Sequence, residues 1–236
     1  MRVCLITSYP PNRARLSEYA GSLVKELTKR PNVYKIYVLA DTVEDSEISM
    51  KSDSKNDSKI EVLRVWKADN PLSILSIVLQ ILKLKPDIVH FNVHFQSFGR
   101  SRVANFIGLS LIFICSFLGL KVLATVHNFG ERVDLAKVHI KPTLLNRLGI
   151  LIATKFILSA SIVVVMVRSY MKYLRTRYGY TRTIYIPHGS SPNNSCPSAN
   201  RKGKVILVFG HMGPHKGLPI MLKAFEDLMA ERSDVK

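Results

Sequence analysis

Near the end of this 236-residue chain, the run "FGHMGPHKG" (209–217) gathers residue types that can hold a phosphate. An apolar run, "KVILVF", leads straight into Gly210. His211, Gly213, Lys216 and Gly217 follow before an apolar-periodic stretch begins. Glycines let backbone amides approach an anion closely. A helix start leaves its first N–H groups unpaired, and a lysine adds a point charge. The spacing is neither that of a Walker A loop nor Gly-x-Gly-x-x-Gly. Taken alone, the run is read either as a phosphate cradle or as an ordinary strand–turn–helix.

His127 stands directly after the apolar run in "TVHNFG", where it is either a ligand-edge group or a hydrogen-bonded loop residue. His90 and His94, in "VHFNVHF", have no third ligand nearby in sequence, so neither a metal nor a cofactor is expected. Glu18 and Glu26 are read as solvated charges on one helix. Cys4, Cys115 and Cys196 are odd in number and lack metal-ligand spacing. They read as small hydrophobes in a reducing compartment.

These residues need elements to place them, and the chain alternates strand and helix. Strands are predicted at 2–7, 34–40, 60–66, 87–92, 121–126, 161–167 and 183–187. Helices are predicted from Leu16, after Pro71, over 103–120, from about Leu144 and over 168–178. Apolar residues at Leu16, Tyr19, Ala20, Leu23 and Leu27 set the helical period of the first. The segment 41–59, with six acids and three lysines, is a polar loop. Residues 103–120 carry no charge over eighteen positions, which is long enough for a membrane span. A strand begins at once at Lys121, so a crossover helix packed on the sheet is expected instead. The fold class is therefore α/β, a doubly wound Rossmann-like parallel sheet over 1–187. A Ser/Pro/Asn/Gly linker follows at 188–203, and 204–236 opens a second domain. Ligands of such sheets bind beyond the carboxyl ends of the strands. That singles out Ser8 to Arg15, Asn92 to Phe95, His127 to Gly130, His188 and Gly189, and the run at 210–216.

The formal net charge is +17, and 47% of residues are hydrophobic, enough for a real core. Residues 121–185 hold eleven basic side chains and two acids, a local balance of +9. A basic body needs an anionic partner. No zinc finger, RNA-recognition signature or aromatic-interleaved basic stripe is present, so specific nucleic-acid binding is not expected. Anionic lipid and nucleotide-sugar rank above it. The apolar run in "MRVCLITSYPPN" is too short for a signal-peptide core, and a cytoplasmic protein, or one peripheral to the cytosolic membrane face, is expected.

In order along the chain, "KPDIVHFN", "KVLATVHNFG", "SASIVVVMVRSYMKYLRTRYGY", "TIYIPHGSS" and "KVILVFGHMGPHKGLPIMLKAF" resemble family 4 glycosyltransferases, retaining enzymes of the GT-B fold. The resemblance implies an acceptor-side N-terminal domain and a C-terminal domain that holds a nucleotide-sugar. It places His127 near the transferred sugar, with Gly210, His211, Lys216 and Gly217 at the donor diphosphate. Asn12, Arg13 and Arg15 fall in the acceptor-side loop. The acceptor is unknown, with a lipid-linked one among the candidates. The first loop lacks the family's glycine pair, His211 replaces its arginine, and its later Glu-(seven residues)-Glu element is absent. The loop at 210–217 is thus expected to open a donor domain that the chain leaves incomplete and inactive alone, to be completed by a separate C-terminal-half polypeptide or a longer chain. The competing reading is a non-catalytic module of the same fold that binds a membrane surface or a partner.

Overall fold

The structure is a computed structural model and describes residues 1–12, 15–42, 58–135, 140–189, 208 and 217–232. Two compact units divide the chain, Met1–Gly189 and Ser190–Lys236.

In the first unit, short β-branched and apolar runs become seven strands. They are β1 Arg2–Thr7, β2 Lys35–Asp41, β3 Ile60–Trp66, β4 Ile88–Val93, β5 Val122–Val126, β6 Ile162–Val165 and β7 Thr183–Tyr185. The helices between them are α1 Arg15–Thr28, α2 Ser73–Leu84, α3 Arg102–Phe117, α4 Leu144–Leu158 and α5 Arg168–Tyr178. A 3-10 turn spans Gly130–Arg132. The strands form one sheet in the order β3-β2-β1-β4-β5-β6-β7, and all neighbours run parallel. Parallel neighbours require crossovers, and helices supply most of them. The winding direction reverses between β1 and β4, which opens a crevice at their carboxyl ends.

Strand alternation divides the interior in two. Cys4, Ile6, Val89, Phe91, Val93, Ala124 and Val126 face one way, where side chains of α2, α3, α4 and α5 meet them. Val3, Leu5, Ile36, Val38 and Ala40 face the other way, where Ala20 and Val24 of α1 cover them. Among the described residues, four helices thus serve one face and α1 alone serves the other. Cys4 and Cys115 are free and buried, and burial pushes both thiols up.

The uncharged segment near 103–120 is a helix laid on the sheet. Ser101 caps α3 by accepting from the Ala104 N–H, and Ala104, Asn105, Gly108, Leu109, Leu111, Ile112 and Cys115 form its buried stripe. No helix among the described residues is long and apolar enough to cross a membrane.

In the second unit, α6 spans Leu218–Glu231. Gly217 precedes it in the left-handed region at φ 68°, a conformation that costs a glycine little. The predicted strand at 204–209 lies outside the described residues, apart from Val208.

Candidate functional site

Strand β4 reads apolar, polar, apolar, polar from Val89. Its polar positions, His90 and Asn92, therefore project together onto the face that α1 covers. Thr7 at the end of β1 and Thr125 near the end of β5 share that face. The result is a buried polar row at the carboxyl edge of the central strands. His90 Nε2 lies 2.8 Å from Thr125 Oγ1. Asn92 Nδ2 donates to Thr7 Oγ1 at 3.0 Å, and Thr7 Oγ1 donates to the Ser8 carbonyl at 3.0 Å.

This chain of bonds fixes the amide of Asn92. Its Oδ1 is turned to His127, whose Nε2 lies 2.8 Å away. An amide oxygen only accepts, so Nε2 carries the proton and Nδ1 keeps its lone pair. The ring is held from the sides as well. Tyr19 of α1 meets it edge-on at 4.8 Å between centroids, and His188 lies tilted at 5.4 Å. Tyr19 also meets His188 edge-on at 5.8 Å. Burial, reinforced by the neighbouring His188 and His94, lowers the pKa of His127 to about 4. The imidazole is neutral at pH 7. Burial likewise lowers His90 and His94 to about 4. His94 Nδ1 accepts the Gln96 N–H at 3.0 Å, and the Phe95 N–H donates to Asn128 Oδ1 at 3.1 Å, which ties the loops after β4 and β5 together.

The first loop is held to the end of β2. Asp41 accepts from the Tyr9 N–H at 3.2 Å and from Asn12 Nδ2. Arg64 on β3 donates to the Asp41 carbonyl at 2.9 Å and to the Pro10 carbonyl at 2.6 Å. Asn12 thus serves the shape of the loop. Arg15 begins α1. Arg13, and Gly210, His211 and Lys216 of the expected phosphate run, lie outside the described residues. Gly217 is the N-cap of α6.

The structure therefore brings His127, Asn92 and His188 together, three positions that follow or end strands. It adds Thr7 and Tyr19, which sequence reasoning passed over. Tyr19 sits at an apolar-periodic position of α1 and reads as core. Its hydroxyl-bearing ring at a strand-edge helix was the available signal. Asp41 and Arg64 were hidden by the charge of the polar segment and by strand alternation.

No family model matches the sequence, and no curated protein matches it. Solved structures are similar in fold, among them two of one protein. The UGT2 protein of Phytolacca americana, complexed with UDP-2fluoro-glucose and pterostilbene, aligns with a TM-score of 0.52 at 12% identity. The alignment covers 83% of this chain and 55% of that one. Apo UGT2 of Phytolacca americana aligns at 0.50 with 11% identity, covering 80% of this chain and 52% of that one. The likeness at such identity is one of fold, a Rossmann-like α/β sheet flanked by helices. The chain spans about half the length of these neighbours.

Proposed function

We propose that the chain forms the acceptor-side part of a GT-B glycosyltransferase, of the retaining family 4 type, that draws on a nucleotide-sugar. The observation that carries this reading is the placement of His127. A neutral imidazole, its proton committed to Asn92, stands at the carboxyl edge of the sheet beside the reversal of strand order. Three further supports are the ordered sequence segments, the sheet order and the fold likeness to a protein complexed with a UDP-sugar.

In this reading His127 offers Nδ1 as an acceptor to a hydroxyl of the transferred sugar. It does not serve as a cation for the departing diphosphate, because its pKa lies well below neutrality. Charge developing on a diphosphate needs fixed cations and amides. That part falls to Lys216 and the glycine-bearing run around it, with the leaving phosphate taking the proton of the acceptor hydroxyl. In the same reading the basic segment 121–185 rests on an anionic membrane surface, and salt-reversible pelleting with anionic vesicles checks that arm.

The test is a titration of nucleotide-sugars, UDP-glucose among them, into the 236-residue chain while histidine ring signals are followed by NMR. At least one donor should move the His127 and His188 resonances, and His127→Ala should abolish the response at His188. If no nucleotide-sugar moves either ring, in this chain or in the chain joined to a donor-binding half, the reading fails.

A further inference from the structure

A second feature lies between α3 and α4, apart from the histidine cluster. A groove of ≈ 460 Å³ runs between the two helices, within the ~300–1,000 Å³ usual for small-ligand sites. Phe106 and Leu109 on α3 and Leu145, Leu148 and Ile152 on α4 give it apolar walls. Much of its polar lining is spent internally. Asn105 Nδ2 donates to the Gly99 and Ser101 carbonyls, both at 2.8 Å, and its Oδ1 accepts the Phe98 N–H at 2.9 Å. Thr154 Oγ1 donates to the Ile150 carbonyl at 3.0 Å. The interior therefore offers hydrocarbon contact and little hydrogen bonding.

The lining also includes Phe95 and Gly130, on the loops that carry His94 and His127. Arg100 and Arg102, both exposed, also line it, and among the described residues no carboxylate does. Arg102 Nη1 donates to Asn146 Oδ1 at 2.6 Å. Arg100 has no hydrogen bond or ion pair among the described residues. Both helices begin here, so their amino-terminal dipoles add to the positive potential. At the start of α4, Leu144 is 85% and Leu145 76% exposed.

We infer that this groove takes the hydrocarbon chain of a single-chain anionic lipid, whose phosphate sits at Arg100 and Arg102. An apolar cleft lined by two exposed guanidiniums and, among the described residues, no acid complements that amphiphile and disfavours a neutral one. Calling the lipid an acceptor rests on the glycosyltransferase reading, because Phe95 and Gly130, on the loops of the histidine site, line the groove. The binding itself does not.

The experiment titrates the 236-residue chain with 1-palmitoyl lysophosphatidate below its micelle concentration, read by native mass spectrometry and calorimetry. One lipid per chain is expected. Glycerol 3-phosphate should not bind, and monopalmitoylglycerol should bind at least tenfold more weakly. Gly149 lines the groove, and a Cβ added there meets nothing within 4 Å. Gly149→Phe should therefore fill the groove, weaken lysophosphatidate binding at least tenfold and leave Tm unchanged or higher. Arg100→Gln with Arg102→Gln should remove the preference for the phosphate over the neutral lipid. Unchanged binding in Gly149→Phe overturns the inference. So does binding to anionic vesicles without uptake of monomeric lysophosphatidate, which would assign the patch to a membrane surface. A dimer that Gly149→Phe dissociates, with no lipid taken up, would assign the groove to a second copy and also overturn it. Uptake of lysophosphatidate by a chain that binds no nucleotide-sugar, alone or joined to a donor-binding half, would uphold the groove and defeat the glycosyltransferase reading.

Discussion

At the scale of single residues, His127 is governed by Asn92. Replacing that amide by a carboxylate keeps the partner in place and adds a negative charge that favours imidazolium. In Asn92→Asp, the His127 midpoint should rise by more than one pH unit from about 4, as read by NMR titration. An unmoved midpoint would mean that the bond does not orient the ring. His90, which is buried, and His94 and His127, which are partly buried, also set a response to acid. Their folded pKa values, about 4, lie below the ordinary ~6.5, so between those limits the unfolded chain binds more protons. Stability present at neutral pH is therefore lost as pH falls from ~6.5 to ~4, by up to ~3 kcal/mol for His90 and less for the two nearer solvent. Buried Asp41, whose pKa is raised, offsets part of this at the acidic end. Thermal melts from pH 7 to 4 should show the fall, with a shallower slope in His90→Asn; equal slopes would reject it. Little of this network was legible in the sequence. His127, Asn92 and His188 stand out as strand-end positions, but the link from Asn92 to Thr7 spans 85 residues and appears only when β1 and β4 lie side by side.

At the scale of elements, local pattern carried far. The strand at 60–66 and the helix at 168–178 fall where they are predicted. The uncharged run before Lys121 was ambiguous between a span and a crossover helix, and the adjoining strand decided it. Pattern does not tell two helical glycines apart. Gly108 on α3 lies against Phe98, which in turn packs on Trp66, and a Cβ there would fall 2.2 Å from the Phe98 ring. Gly149 on α4 faces open space. Alanine at either position gains up to ~1 kcal/mol of helix propensity. At Gly108 overpacking costs ~1–3 kcal/mol and wins. Denaturant titration should find Gly108→Ala less stable than the parent and Gly149→Ala more stable. The same sign for both would show that the ring moves aside freely.

At the scale of the whole molecule, the unit Met1–Gly189 holds both apolar clusters by itself. A core that is complete within one unit can fold alone. Residues 1–189 should therefore melt cooperatively within a few degrees of the full chain, and limited proteolysis should leave a fragment of about that length. Loss of cooperative melting in the shortened chain would refute this. The sheet order has one more consequence, which concerns time. The strand made first, β1, lies in the middle of the finished sheet and needs β2 on one side and β4 on the other. At ~5–20 residues per second of synthesis, Asn92 is made ~4–17 s after Thr7. Through that interval the nascent chain has β1 as an open edge of apolar residues, the kind of surface that recruits stray strands. The residues that later line the crevice are thus the ones a nascent-chain chaperone has most reason to shield.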